Sequence, residues 1–413
     1  MGGRRRLAVL VVLLVLCVCA ALSPRVFLPS ALAARTTYES RHYTIVSDLD
    51  RELTLDLATR ADAMYEEYAR RLADFSPPGG PPQRFELRLF QRRSDYLALA
   101  GNRFINSGGI FLPGRNLLAA YLEEQGRDNL RRVLQHEAFH QFAHTNISPN
   151  LPNWLNEGLA QVFEEAIFVN GQFLLGEIPP RRHRQLEYDM QQKRLIPFRT
   201  LLTMSHQDWQ QAMRDEELTS TIYNQSWAMV HFLIFATDPR QPKVPLYRAQ
   251  LIEWLRRMHV GEEPNEAFAA AYSDNIEGFQ SRFVEWARSM KPTPQACVAE
   301  HQQVLADLLR ELYGKRTFKS VAEFRQEIVA RSYRIHYTHG SIKWTTADNP
   351  SIYFADLRGR AYRAEQLTFE PRPGAPLPDL VCRPDDCLPM RTRFHLIDGK
   401  VERETLVEPP ARR

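Results

Sequence analysis

The sequence has little cysteine and no apolar stretch long enough to cross a membrane with ease. Only five of its 413 residues are cysteine, and two of these, Cys17 and Cys19, fall within the first 20 positions. Cys297, Cys382 and Cys387 remain, with no second close pair, which excludes a cysteine-ligated zinc ribbon and a small disulfide-stapled fold. Cys382 and Cys387 flank RPDD, a spacing that suits either a short disulfide loop in an oxidising compartment or two free thiols. The apolar run from Leu7 to Leu22 is 16 residues, short of the roughly 20 that a spanning helix needs. An excess of one charge is also missing. Residues 1–34 carry four arginines and no acid, so the rest of the chain balances 49 basic against 49 acidic residues. That balance excludes nucleic acid as an expected partner. No repeat at a solenoid period, phosphate-cradling glycine loop, G-x-S-x-G elbow or EF-hand spacing occurs either.

What is present begins with an address. Arg4, Arg5 and Arg6 precede the apolar run, and Ala31 to Ala33 (ALA) offer a small-residue cleavage site. Residues 1–33 therefore read as a signal peptide or, left uncleaved, as an N-terminal anchor holding the chain to the membrane through residues 7–22. Neither Cys17 nor Cys19 follows a small residue, so lipid attachment is not expected. Either way the body of the chain is expected outside the cytoplasm: secreted, periplasmic or anchored in the cell envelope.

Beyond the leader, the pattern predicts strands at 41–48 and 84–90, a helix over 50–72 and two short strands around a Pro-Gly turn within 108–122. A helix should start at Asp128 as N-cap and run to about residue 144, and another from Trp154 to about Phe168. Residues 183–290 are mostly helical in pattern. KPTP (291–294) marks a boundary, after which come helices at 296–313 and 320–331 and strand-like segments at 332–337, 351–357 and 391–398. IDGKVE (397–402) is a hairpin-turn signature. The expected fold class is α+β, with one domain over 34–290 and a β-rich α+β appendage over 291–413.

The chemistry concentrates in VLQHEAFHQFAH, residues 133–144. Residues four apart share a helix face, so His136 and His140 present two imidazoles to one point with Glu137 beside them, the H-E-x-x-H pattern. Histidines on an apolar helix are more often core residues, but Glu137 would then be buried as well, and a buried carboxylate needs a cation. His144 continues the stripe, yet His136 to His144 spans about 12 Å of helix, too far for one ion; its place near the helix C-terminus suits the dipole instead. Glu157, in LPNWLNEGLAQVFEE, lies 17 residues beyond His140 on a separate predicted helix and is the candidate third ligand, with Gly158 permitting close helix approach. Two histidines and one glutamate leave a coordination position open, as catalytic rather than structural sites do.

HEAFH followed by NWLNEGLA resembles the gluzincin branch of zinc metallopeptidases, and more narrowly the peptidase-MA-like proteins of bacterial envelopes. The resemblance spans roughly 37–290 and is sharpest around 105–165. It implies a thermolysin-like core of a small sheet, zinc helices and a helical subdomain. It also implies one zinc per chain on His136, His140 and Glu157, with Glu137 as general base for a water attacking a peptide carbonyl. The strand before the zinc helix, LLAAYL (117–122), would pair with extended substrate. Tyr223, on a later helix, is the candidate oxyanion donor, with His231 as runner-up; Tyr223 and Trp227, four apart, could instead be core aromatics.

Two departures stand out. The aspartate that orients a zinc histidine in thermolysin-like members is replaced by Gln161, so Gln161 or Glu164 must serve. The glycine-Met-Glu-Asn type motif of related aminopeptidases is absent, which favours an endopeptidase acting on peptides or proteins. Two rival readings stay open: a non-catalytic zinc-containing envelope protein that binds through its C-terminal region, and a zinc hydrolase of a non-peptide cell-wall amide.

Overall fold

Alternation in YTIVS and FELRLF places Tyr43, Ile45, Phe85, Leu87 and Leu89 on a buried face while Thr44, Val46, Glu86 and Arg88 stay partly exposed. In the computed structural model, which describes residues 35–410 except Pro82, Pro239 and Ser341, these segments lie in a five-stranded sheet. Its strands are β1 (Thr36–Glu39), β2 (Tyr43–Ser47), β3 (Phe85–Phe90), β4 (Gly109–Leu112) and β5 (Leu117–Tyr121), in the order β1-β2-β3-β5-β4. The strands β2, β3 and β5 run parallel, and β4 is antiparallel to β5. β5 is buried along its whole length and has β4 on its outer side. The strand expected to receive substrate, 117–122, is therefore interior. The tight turn at Pro113–Arg115, closed by Asn116 in the left-handed region (φ 47°), folds β4 back over it and makes β4 the edge.

Helices pack on this sheet. α1 (Arg51–Arg71) is capped by Asp50, whose carboxylate accepts from Leu53 N at 2.8 Å. After α2 (Arg93–Ala100) comes α3 (Gly126–Asn146), which carries the H-E-x-x-H residues, and then α4 (Asn153–Glu164). Asp128 is not the cap of α3. It lies within the first turn, where its carboxylate accepts from Thr405 N and from Arg403 Nη1, both at 2.8 Å. α4 stops short of the expected Phe168, because Ile167–Val169 (β6) pairs with Gln172–Leu174 (β7) across Asn170 and Gly171, both at positive φ. Tyr68, Phe139, Phe142 and Phe163 interlock at ring separations of 4.5–5.5 Å, locking α1, α3 and α4 into one core.

A largely helical stretch follows: α5 (Pro180–Gln191), α6 (Phe198–Thr203), α7 (His206–Ala212) and α8 (Glu216–Phe235), a small hairpin of β8 (Thr237–Asp238) and β9 (Gln241–Pro245), then α9 (Arg248–His259), α10 (Pro264–Ala271) and α11 (Ile276–Ser289). One apolar core runs from Tyr43 to Met290, and a second from Val298 to Phe394. The second is built by α12 (Pro294–Glu311), α13 (Val321–Arg331), a hairpin of β10 (His336–His339) and β11 (Ile342–Thr345), and the antiparallel sheet β12 (Leu367–Glu370), β13 (Asp379–Cys382), β14 (Met390–Ile397) and β15 (Lys400–Val407). The predicted turn joins β14 to β15, with Asp398 and Gly399 both at positive φ. Residues 351–357 do not form the expected strand. Pro350–Phe354 is a 3-10 turn, in which Pro350 and Tyr353, three apart, turn inward together with Phe354.

Both parts belong to the compact unit Thr37–Arg413. Their seam is ionic: Arg131 of α3 reaches Asp56 at 2.9 Å and also Glu404, and Arg403 ties Asp128 to Asp307. Cys297, Cys382 and Cys387 are free thiols, and no disulfide joins the last two. The leader or anchor reading of 1–33 lies outside the described residues, among which no helix is long and apolar enough to cross a membrane.

Candidate metal centre

Helical spacing does at His136 and His140 what the pattern requires. The two rings meet edge-on with centroids 4.7 Å apart, and their Nε2 atoms are 3.1 Å from each other. α4 brings Glu157 to the same point, with Oε2 at 3.2 Å from His136 Nε2 and Oε1 at 3.7 Å from His140 Nε2. One donor atom from each of the three residues lies within 4.8 Å of the others, a group that could hold a metal ion. On its other side α4 lies close against α8, which Gly158 faces. A Cβ there would sit 2.5 Å from Ser226 O, so the close approach Gly158 permits is to α8 rather than to α3.

Each histidine is oriented from behind, as ligand imidazoles are. His136 Nδ1 faces Glu164 Oε2 at 3.2 Å, and His140 Nδ1 faces Asn156 Oδ1 at 3.1 Å. Of the two expected candidates, Glu164 takes the orienting role. Gln161 instead accepts from Arg182 Nη1 at 2.7 Å and donates to the Glu157 carbonyl. Glu164 is itself anchored by Arg132 and, at 3.6 Å, by Arg182. Burial alone would raise its pKa, but Arg132, His136 and Arg182 outweigh burial and hold the carboxyl well below its ordinary 4.5. His136 is the converse. Burial would lower it, yet Glu157 and Glu164 on its two sides hold it well above its ordinary 6.5.

These observations test the fit of a cation. Glu157 Oε2 is buried and makes no hydrogen bond, although His136 Nε2 lies close by, so the approach is not aligned as N–H···O. Two imidazole nitrogens, each with its partner nitrogen tied to an outer acceptor, and one orphaned carboxylate oxygen converge on one point. That donor set suits a divalent ion and fits zinc.

Glu137 sits between the histidines in sequence and turns to the sheet edge, where its Oε2 accepts from Phe111 N of β4 at 2.9 Å. His144, in the last turn of α3, packs its ring edge against Phe111. Tyr223 comes from α8, which packs along α4. The Glu157 carboxylate, burial, and the Glu137 and Glu164 carboxylates hold its hydroxyl well above the ordinary 10.0, so it remains a neutral donor beside the site. The alternative, His231, is a core residue. It is enclosed by Trp227, Phe235 and Trp286, its Nε2 lies 3.3 Å from Gly176 O, and burial lowers it to about 4.

Sequence reasoning named His136, Glu137, His140, Glu157 and Tyr223, and the fold brings all five into one neighbourhood. It missed Asn156, Phe111 and Arg182. Asn156 was legible as the residue preceding Glu157 on the same helix; the other two come from segments with no motif.

Residues 132–241 match a family model described as Protein of unknown function (DUF1570). The matched stretch takes in both histidines, Glu137, Asn156, Glu157, Glu164, Arg182 and Tyr223, and leaves out Phe111 and the β-rich C-terminal part. No curated protein matches the chain.

Proposed function

We propose that this chain is a zinc-dependent peptidase of the gluzincin type, working outside the cytoplasm and cutting within peptide chains. The observation that carries the reading is the pairing of a two-histidine, one-glutamate donor set with Glu137 bonded to the edge strand β4. A metal-only role needs His136, His140 and Glu157. It has no use for a carboxylate aimed at a strand edge.

Zinc held there would supply Lewis acidity and an acidified water. The chain's own groups do the rest. An extended substrate adding to β4 would compete for the Phe111 N–H and release the Glu137 carboxylate, which then takes a proton from the attacking water and passes it to the leaving amine. Tyr223, kept protonated by the surrounding carboxylates, donates to the oxygen that gains charge. Glu164 and Asn156 hold the two imidazoles in register, and Arg132 with Arg182 holds Glu164.

The test pairs metal analysis with cleavage of a diverse peptide library, read by mass spectrometry. The expectation is one zinc per chain in both parent and Glu137→Gln protein, with cleavage by the parent slowed about 10²–10⁴-fold by the substitution. Equal cleavage by both proteins, or a metal content near zero in the parent, would overturn the proposal. Zinc binding without any peptide cleavage would favour a non-peptide amide or a binding role.

A further inference from the structure

We propose a second peptide-binding site, remote from the metal centre, in the groove between α13 and β12. The groove encloses about 830 Å³. One wall is a single face of α13: Val321, Ala322, Arg325, Gln326, Val329 and Ala330 all line it, the i, i+4, i+8 pattern of one helix side. Small side chains at Ala322 and Ala330 keep that wall low. The opposite wall is β12, the edge of the four-stranded sheet, which pairs with β13 on one side only among the described residues. Phe354, Leu367 and Phe369 supply an apolar floor. An edge strand beside a helix is the arrangement that takes an extended chain as an added strand, with backbone bonds giving affinity and the helix wall giving selectivity.

Charge selects the occupant. The described residues lining the groove include Lys319, Arg325 and Arg363 and no aspartate or glutamate. Arg363 is paired with Glu365 and Asp385, whereas the Lys319 ammonium and the Arg325 guanidinium meet no acid among the described residues. A second copy of this chain meeting the first edge to edge would bring like charges together, which disfavours self-pairing. The fitting partner is an extended peptide segment that alternates apolar side chains for the floor with carboxylates for the two free cations. β12 is four residues long, about 13 Å at the usual strand rise, so four or five partner residues fill it. The site stands independently of the proposed hydrolysis.

Binding is read by fluorescence anisotropy on full-length Glu137→Gln protein, so that cleavage cannot deplete the probe. The probes are a labelled Glu-Val-Glu-Val-Glu peptide and its Lys-Val-Lys-Val-Lys counterpart. The acidic peptide is expected to bind in the micromolar range and the basic one at least tenfold more weakly. The double variant Lys319→Glu/Arg325→Glu should reverse that preference. Ala330→Trp, placing a bulky ring at an exposed position, should abolish binding of both while circular dichroism stays unchanged. Equal binding of the two peptides, binding that survives Ala330→Trp, or no binding of the acidic peptide at about 1 mM would overturn the proposal. So would a concentration-dependent dimer that Ala330→Trp dissolves, because the groove would then belong to a second copy.

Discussion

At the scale of single residues, the histidines matter less for being there than for what stands behind them. A ligand imidazole contributes its lone pair in the right direction only if its other nitrogen is fixed, and here Glu164 fixes His136 while Asn156 fixes His140. The two supports differ in kind. Glu164 is a carboxylate held by Arg132 and Arg182, and Asn156 is a neutral amide with no such frame. Removing either, as Asn156→Ala or Glu164→Gln, should weaken zinc binding about 10–100-fold in competition with a chromophoric chelator. Glu164→Gln should also cost folding stability, because it leaves Arg132 and Arg182 with one fewer counter-charge; Asn156→Ala should not. Unchanged zinc affinity in both variants would mean that the orienting contacts are incidental. The meeting of the two imidazoles was legible in the sequence because helix periodicity alone aligns His136 with His140. The support from Glu164 was legible only as a choice between two residues on one helix. Arg182 was not legible at all, since nothing local in RRHRQ says which of its cations turns inward.

At the scale of elements, the site depends on how closely α4 approaches its neighbours. Gly158 was read as a close-approach glycine, which it is, but the neighbour is α8. A single chain of residues carries no mark of which helix will lie opposite a bare Cα. A methyl group at Gly158 would meet the Ser226 carbonyl and the Val230 side chain at 2.5 and 2.6 Å, and the first of these is backbone that cannot swing aside. Gly158→Ala should therefore destabilise the fold by about 1–3 kcal/mol, as overpacking does. It should also shift Glu157, one residue away, and so weaken metal binding as well. A variant as stable as the parent in chemical denaturation, with equal zinc affinity, would show that α4 and α8 can part freely. The same dependence on partners explains the error over the substrate strand. The pattern showed two short strands around Pro113 and Gly114, but which of them ends up outside is decided by β3, which claims β5 from some 30 positions earlier in the chain.

At the scale of the whole molecule, the C-terminal part is joined to the N-terminal part through the helix that carries the histidines. Glu404 of β15 is buried against Arg131 of α3 and bonds His395 Nε2 at 2.9 Å, while Asp128, one turn from Arg131, accepts from the backbone of Thr405. None of this was visible in a sequence where 275 positions separate Asp128 from Arg403. The seam should make stability depend on acid in a defined direction. Burial alone would raise the Glu404 carboxyl, but the His395 hydrogen bond and the Arg131 charge outweigh it and hold the group at about 2 against an ordinary 4.5. The folded state thus prefers the ionised form. The resulting stabilisation is complete above about pH 4.5 and fades as the pH falls toward 2, and it amounts to on the order of 3 kcal/mol. Glu404→Gln removes this contribution at every pH. The gap in denaturant stability between parent and variant, both measured with chelator present so that metal release does not enter, should be largest at pH 6–7 and narrow as the pH falls below about 4.5 toward 2. A gap independent of pH would mean that Glu404 is held by packing rather than by its charge, and that the seam on the histidine-bearing helix is not electrostatic.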